Sequence, residues 1–270
     1  MSVRIILTTN SSYIDVCETF FCLKDNNWHD CPYNITMSYF GKKISDCKCI
    51  EGDVLYNGLT STLPTCIYNA AMKYYSDYYI CFLGDAFFYR KTSQDLVDKI
   101  LDEIEKNNID YCNLIEPPYD TDRQYRYKYI RSLSYKDRGV SFVAFAASRR
   151  FIENEFSNGI TDYEFEVKYL KYTYSCKTPE EWMRYNFATL IDNKMNIAPG
   201  IDKGMWDRDS FRLIKKYNNI DLPKRKLIPL YIYLVRKIAY AILGYIPTKY
   251  TKKIKGIISK FNIYEFSSNE

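Results

Sequence analysis

The residue of this 270-residue chain best placed for chemistry is an aspartate that closes an apolar run, Tyr78-Tyr79-Ile80-Cys81-Phe82-Leu83-Gly84-Asp85. In an open α/β sheet, ligands bind beyond the carboxyl ends of the strands. A carboxylate there can hold a hard divalent cation, Mn²⁺ or Mg²⁺, that bridges a diphosphate. A second acidic pair, Glu164 and Glu166, is spaced by two. On a strand both side chains would share one side, and on a helix they would diverge. A carboxylate within hydrogen-bond reach of a hydroxyl can serve as general base. Thr8, Thr9 and Asn10 follow another apolar run, Val3 to Leu7, and Lys203 lies in a late Asp-Lys-Gly-Met-Trp stretch.

Other chemistries lack their residues. The single histidine, His29, reads as a surface residue after a helix, so no histidine-based triad or multi-histidine metal site is expected. The dinucleotide-binding glycine fingerprint, the P-loop, the zincin motif and the nucleophile elbow do not occur. That removes most dehydrogenases, P-loop kinases and hydrolases, and leaves carboxylate chemistry. Nine cysteines contain no C-x-x-C pair, so neither zinc nor a disulfide framework is expected, and reduced thiols in a cytoplasmic protein are the reading. The opening MSVRIILTTN has no long apolar stretch or small-residue cleavage site of a secretory leader.

The elements that must position these residues follow from periodicity. Val3 to Leu7 predicts a buried first strand, with a polar loop from Thr8. Apolar residues at helical spacing predict a helix over 13–27, and 33–40 reads as a second strand. Thr62 and Pro64 open a helix that leads into the strand 78–83. Thr92-Ser93-Gln94-Asp95 has a capping-box pattern ahead of Leu96, Ile100 and Ile104, four apart on one face. Strands are expected over 109–115 and 140–147, and helices over 149–156 and 207–217. Strands alternate with helices through residue 115, which predicts an α/β fold with a mostly parallel, doubly wound sheet. Arg123, Arg126, Lys128 and Arg131 interleave with Tyr125, Tyr127 and Tyr129, read as an exposed strand rather than a nucleic-acid surface.

Charge divides the chain. Residues 1–221 hold 28 Lys and Arg against 31 Asp and Glu, whereas residues 222–264 hold ten basic residues and no acid. A near-neutral body with a cationic tail excludes nucleic acid as the body's partner and points to a localised anionic one. Leu227 to Ile246 is almost wholly apolar and about 20 residues long, enough to span a bilayer. Arg236 and Lys237 stand at its centre, where each costs about 2.5–3.5 kcal/mol on insertion scales. The segment is therefore expected to lie in the membrane interface with Arg236 and Lys237 facing headgroups. Lys249, Lys252, Lys253 and Lys255 would add attraction to an anionic leaflet. The location expected is cytoplasmic, at the inner face of the cell membrane.

Several segments, in order, resemble GT-A-type glycosyltransferases of the bacterial surface and capsular polysaccharide kind. The strand-end Asp85 with its following aromatics looks like the family's acidic motif. Trp28-His29-Asp30-Cys31-Pro32-Tyr33 looks like a Trp-x-Asp-Cys-Pro turn, Tyr163-Glu164-Phe165-Glu166 like a Trp-Glu-Phe-Glu element, and Asp202-Lys203-Gly204-Met205-Trp206 like a late Gly-Lys-Trp loop with Gly and Lys exchanged. The similarity spans roughly residues 3–220. Where the family shows two adjacent acids, this chain has Asp85 alone, so metal binding would need another ligand, or Lys203, Arg149 or Arg150 would neutralise the diphosphate instead. The resemblance places Thr8 and Asn10 beside the nucleotide and Lys203 on the donor diphosphate. It implies that one of Glu164 and Glu166 lines the acceptor site, Glu166 being preferred as base.

The organisation this implies is a glycosyltransferase domain over 1–221, with a nucleotide-binding half 1–118 and an acceptor half 119–221, and a basic helical tail over 222–270. The expected activity moves a hexosyl unit from a nucleotide-sugar to a glycan or lipid-linked acceptor in surface polysaccharide assembly. A catalytically inactive relative acting as an interaction module at the membrane is one alternative. A sugar nucleotidyltransferase is another, although such enzymes carry a Gly-rich phosphate loop that is missing near the first strand here.

Overall fold

A computed structural model of the chain describes residues 1–44, 52–115, 127–133, 140–169, 180 and 183–245. Its centre is an eight-stranded sheet in the order β3-β2-β1-β4-β8-β6-β9-β7. The strands are β1 (Val3–Asn10), β2 (Ile35–Phe40), β3 (Asp53–Tyr56), β4 (Tyr78–Leu83), β6 (Tyr111–Asn113), β7 (Ile130–Ser132), β8 (Ala144–Ser148) and β9 (Phe187–Leu190). β3, β2, β1 and β4 run parallel, and β9 runs parallel to β6. β8 is antiparallel to β4 and β6, and β7 to β9. The fold is α/β with a large, mostly parallel sheet, as the alternation of elements predicts.

β1 shows how the sequence builds a two-sided sheet. Ile5 and Leu7 pack into one core and Ile6 into the other. Such near-continuous apolar runs belong to strands buried on both faces. Helix α1 (Ile14–Asn27) and helix α3 (Gln94–Lys106) cover the first face. Helix α2 (Leu63–Lys73) and helix α4 (Arg149–Glu155) cover the second. Thr62 caps α2 by accepting from the Thr65 amide, and Ser93 caps α3 by accepting from Leu96. Each such cap is worth about 1 kcal/mol.

Two sequence expectations change, and a third segment, left open between strand and helix, is helical. Residues 140–143 lie outside the strand, and β8 runs Ala144–Ser148, antiparallel. Thr8, Thr9 and Asn10 belong to β1 rather than to a loop, because they continue the ladder with β2. Tyr163-Glu164-Phe165-Glu166 lies in helix α5 (Asp162–Lys168), started by a Thr161–Glu164 capping box. The basic and aromatic stretch that holds Arg123 and Tyr125 falls partly outside the described residues, and its later part forms β7.

Two small ribbons flank the sheet. β5 (Ala86–Phe88) pairs with β10 (Ile197–Pro199), and β11 (Ile201–Asp202) pairs with β12 (Met205–Trp206). Helix α6 (Arg208–Tyr217) follows, and helix α7 (Leu230–Tyr245) ends the described chain.

Candidate functional site

The strand order turns round between β1 and β4. From β1 the chain moves outward to β2 and β3, then returns to place β4 on the other side of β1. In an open α/β sheet ligands bind at such a turn-round, beyond the strands' carboxyl ends, although here α1 and α3, which follow β1 and β4, cover the same face. The residues at that end are Asn10, the last residue of β1, and Gly84-Asp85, just after β4.

Gly84 lets the two strand ends approach. Its amide donates to the Thr8 carbonyl at 3.0 Å, and a Cβ there would lie 2.6 Å from Cys17 Sγ and 3.1 Å from Thr9 Oγ1. Asn10 turns the chain into Ser11–Tyr13, its Oδ1 accepting from the Ser12 amide at 2.9 Å. Thr8 is fully buried beside the Cys66 thiol, so strand parity points it into the α2 core rather than toward a ligand. Of the two predicted β1 contacts, Asn10 is at the strand end and Thr8 supports it from beneath.

Asp85 is gripped by a segment far along the chain. Its carbonyl accepts from the Gly200 amide at 2.8 Å and its Oδ2 from the Ile201 amide at 3.0 Å. Burial pushes its carboxyl up to about 6, and the nearby charge of Asp202 adds to the rise, against the lowering effect of the Ile201 amide. Gly200 is obligatory there, because a Cβ would come within 2.2 Å of the Phe87 ring. Trp206 is fully buried, packs tilted against Phe87 with ring centroids 5.4 Å apart, and donates from Nε1 to the Pro223 carbonyl at 3.0 Å.

The β11–β12 ribbon is thereby fastened over Asp85, and its turn is Lys203-Gly204. Both residues have positive φ, +48° and +78°, the pattern of a two-residue hairpin turn of the mirror-image type. The order Lys then Gly, the reverse of that in the resembling loop, sets the glycine where the chain closes back on β12. The turn reaches the β1 exit: a Cβ on Gly204 would lie 3.8 Å from Arg225 Nη1 and 4.0 Å from Tyr13 Oη. Arg225 stacks 4.7 Å over the Tyr13 ring and pairs with Asp15 at 2.6 Å. Asn10, Asp85 and the Lys203 turn, distant in sequence, thus share one edge of the sheet.

Glu166 reaches that edge from the other side. Its Oε1 accepts from the Phe142 amide at 2.8 Å, and the next residue, Val143, accepts at its carbonyl from Leu83 at 2.9 Å. Glu164 does not accompany it. On α5 the two acids diverge, and Glu164 Oε2 accepts from the Thr161 amide and hydroxyl, each at 2.9 Å. Those bonds, the amide first, hold its carboxyl below the usual range. Glu164 starts a helix.

Arg149 and Arg150 are at the opposite edge. The Arg149 amide donates to the Asp77 carbonyl at 2.9 Å, its side chain pairs with Glu153, and Arg150 grips buried Asp110 at 2.7 Å. They stand at the amino end of β4 and cannot meet a ligand at Asp85. The Trp28 to Tyr33 turn is likewise a brace. Trp28 Nε1 donates to Gln94 Oε1 at 2.9 Å, Asp30 accepts from the Gln94 amide at 3.1 Å, and Tyr33 donates to Asp98 at 2.9 Å.

Metal binding at Asp85 meets a donor set that does not fit. One carboxylate oxygen of Asp85 is taken by the Ile201 amide, and Asp202, the nearby acid, is ion-paired with Arg236. Among the described residues no group of three or more His, Cys, Asp or Glu could hold a metal ion. Arg236 and Lys237, expected to face headgroups, both meet acids of the body, Arg236 largely covered and Lys237 half-exposed. Arg236 pairs with Asp202, and Lys237 with Asp209 at 2.9 Å. Those acids belong to the body, so the acid-free tail read by itself gives no sign of them. Sequence reading also missed Arg225 and Tyr13, whose only signal is the folded turn that gathers them.

No family model matches the chain, and no curated protein sequence matches it. Among solved structures it is similar to HddC from Yersinia pseudotuberculosis, at 12% identity over 81% of this chain and 100% of that one, TM-score 0.47. It is similar to a cytidylyltransferase from Leptospira borgpetersenii serovar Hardjo-bovis, at 14% identity over 100% and 99%, TM-score 0.45. TarS from S. aureus is similar at 12% identity over 70% of this chain and 37% of that one, TM-score 0.42. Scores this low leave the chemistry to be argued from this chain's own residues.

Proposed function

We propose that this protein is a glycosyltransferase that binds a nucleotide-sugar donor at the β1/β4 switch point and passes its sugar to a glycan or lipid-linked acceptor. The observation that supports the reading is that Asn10, Gly84-Asp85 and the ribbon carrying the Lys203-Gly204 turn lie at the carboxyl-end edge of β1 and β4. Asn10 meets the nucleoside. Asp85 holds the Ile201 amide and so fixes the ribbon whose turn presents Lys203 to the diphosphate. With no metal step invoked, developing negative charge on the leaving diphosphate is met by Lys203 with Arg225 behind it, an electrostatic role that works best where water is excluded. Glu166 takes the acceptor hydroxyl's proton, its orientation fixed by the Phe142 amide.

The engagement of Asp85 with backbone favours a second reading, a donor-binding module without turnover. The same experiment separates the two. A thermal-shift panel of UDP-, GDP-, CMP- and dTDP-sugars, with and without Mn²⁺, is expected to give one donor that raises Tm by several degrees when present at about 100 times its Kd. Glu166→Gln is expected to keep that shift and lose transfer by 10²-fold or more, a typical general-base contribution. A donor shift without turnover in the wild type selects the binding module. No shift with any donor removes both readings.

A further inference from the structure

Helix α7 has two faces of opposite character, and they are reversed from the tail's expected orientation. Tyr233 is buried, and its hydroxyl donates to Asp209 at 2.5 Å. Arg236, on the same side, pairs with Asp202, and Lys237 at its margin pairs with Asp209. The opposite side carries Leu230, Tyr231, Leu234 and Ile238, exposed at 52%, 65%, 48% and 59%. At 100° per residue these four fall within one stripe about 100° wide, the width of an ordinary core-facing stripe. Here the stripe faces away from the body.

Two facts identify its partner. After Asp221 the chain carries ten basic residues and no acid before Glu265, five of the lysines following α7 at 249, 252, 253, 255 and 260. A second copy on the stripe would bring two such cationic segments together, and four side chains fall far short of the roughly 1,000 Å² a stable protein interface needs. A lipid surface with anionic headgroups takes apolar side chains and lysines together. No helix among the described residues is long and apolar enough to cross a membrane.

We infer that α7 docks on an anionic lipid surface through Leu230, Tyr231, Leu234 and Ile238, while Arg236 and Lys237 hold the helix to the body. The cations that sequence alone assigns to headgroups are the fastening, and the apolar stripe is the foot. Since Arg236 grips Asp202, adjacent to Lys203, the foot is joined to the ribbon over Asp85. The inference does not depend on which group the site transfers.

Co-sedimentation of the full chain with phosphatidylcholine vesicles, with and without one quarter phosphatidylglycerol, tests it. Wild type is expected to favour the anionic vesicles at least tenfold. Leu234→Glu combined with Ile238→Glu is expected to reduce that binding at least tenfold, and Arg236→Gln to leave it within about threefold. Tyr231→Trp supplies a second readout, a blue-shifted emission on adding anionic vesicles beyond any change in wild type. Unchanged binding by the double variant overturns the inference, as does equal partition to both vesicle types. A dimer in sedimentation velocity that the double variant abolishes assigns the stripe to a second copy and equally overturns it. Donor thermal shifts are read independently, so failure here is distinct from failure of the transferase reading.

Discussion

Two regions meet at Asp85 and are held by different forces. The β3-β2-β1-β4 half is fastened by apolar burial on both faces, with Ile5, Ile6 and Leu7 almost fully buried. The β11–β12 ribbon and α7 are fastened by one large aromatic plug, backbone amides and ion pairs at the surface. Burial is worth about 1.5–3 kcal/mol per large side chain, whereas exposed ion pairs give about 0–1 kcal/mol. The site thus has a stiff floor and a comparatively loose roof. The loose part carries Lys203, so ordering of the roof by a donor, rather than of the floor, is the expected response to ligand.

The contrast breaks most sharply at Trp206, the ribbon's one deep anchor. Trp206→Ala should cost about 3–5 kcal/mol, read by urea unfolding, and remove the donor-induced thermal shift. Should the variant lose stability yet bind donor as before, the ribbon is not the roof of the site.

The next effect is on pH. The Asp85 carboxyl sits at about 6 in the folded protein against an ordinary 3.8, raised mainly by burial. A raised carboxyl means the folded state keeps a proton the unfolded chain has lost. Its contribution is full below about pH 4 and is lost as pH rises to about 6, on the order of 3 kcal/mol. Asp85→Asn keeps an oxygen for the Ile201 amide and should flatten this part of the stability profile. An unaltered slope between pH 4 and 6 in the variant means the carboxylate is solvated and does not clasp the ribbon.

The smallest effect sharpens the comparison from the roof's side. Lys203 holds a left-handed φ of +48°, a conformation that costs a non-glycine residue roughly 1–2 kcal/mol. Lys203→Gly should raise Tm by a few degrees and weaken donor binding by tenfold or more. A gain in Tm with undiminished affinity would reduce Lys203 to a turn residue.

The floor was legible in the sequence, whereas of the roof only the Asp202–Trp206 stretch was, and not what fastens it. Val3 to Leu7, Tyr78 to Leu83 and the spacing of Leu96, Ile100 and Ile104 announce buried strands and a helix because one chemistry, apolar burial, fixes them. Asp85 was legible for the same reason, as a polar residue ending such a run. The grip of Ile201 on Asp85 joins a backbone amide to a carboxylate 116 residues away, and no local pattern in the sequence encodes it. Glu164 and Glu166 looked alike until Thr161 made their segment a helix. Arg236 and Lys237 looked free because the acids that hold them, Asp202 and Asp209, belong to the body rather than the tail.

The central claim is that Asn10, Asp85 and Lys203 enclose one donor-phosphate site. Amide chemical-shift mapping of the full chain, titrated with the nucleotide-sugar that stabilises it most, tests this directly. Shifts concentrated at residues 9–13, 84–86 and 200–206 are the expected result. Saturable binding that moves other amides and leaves those three segments still would contradict it.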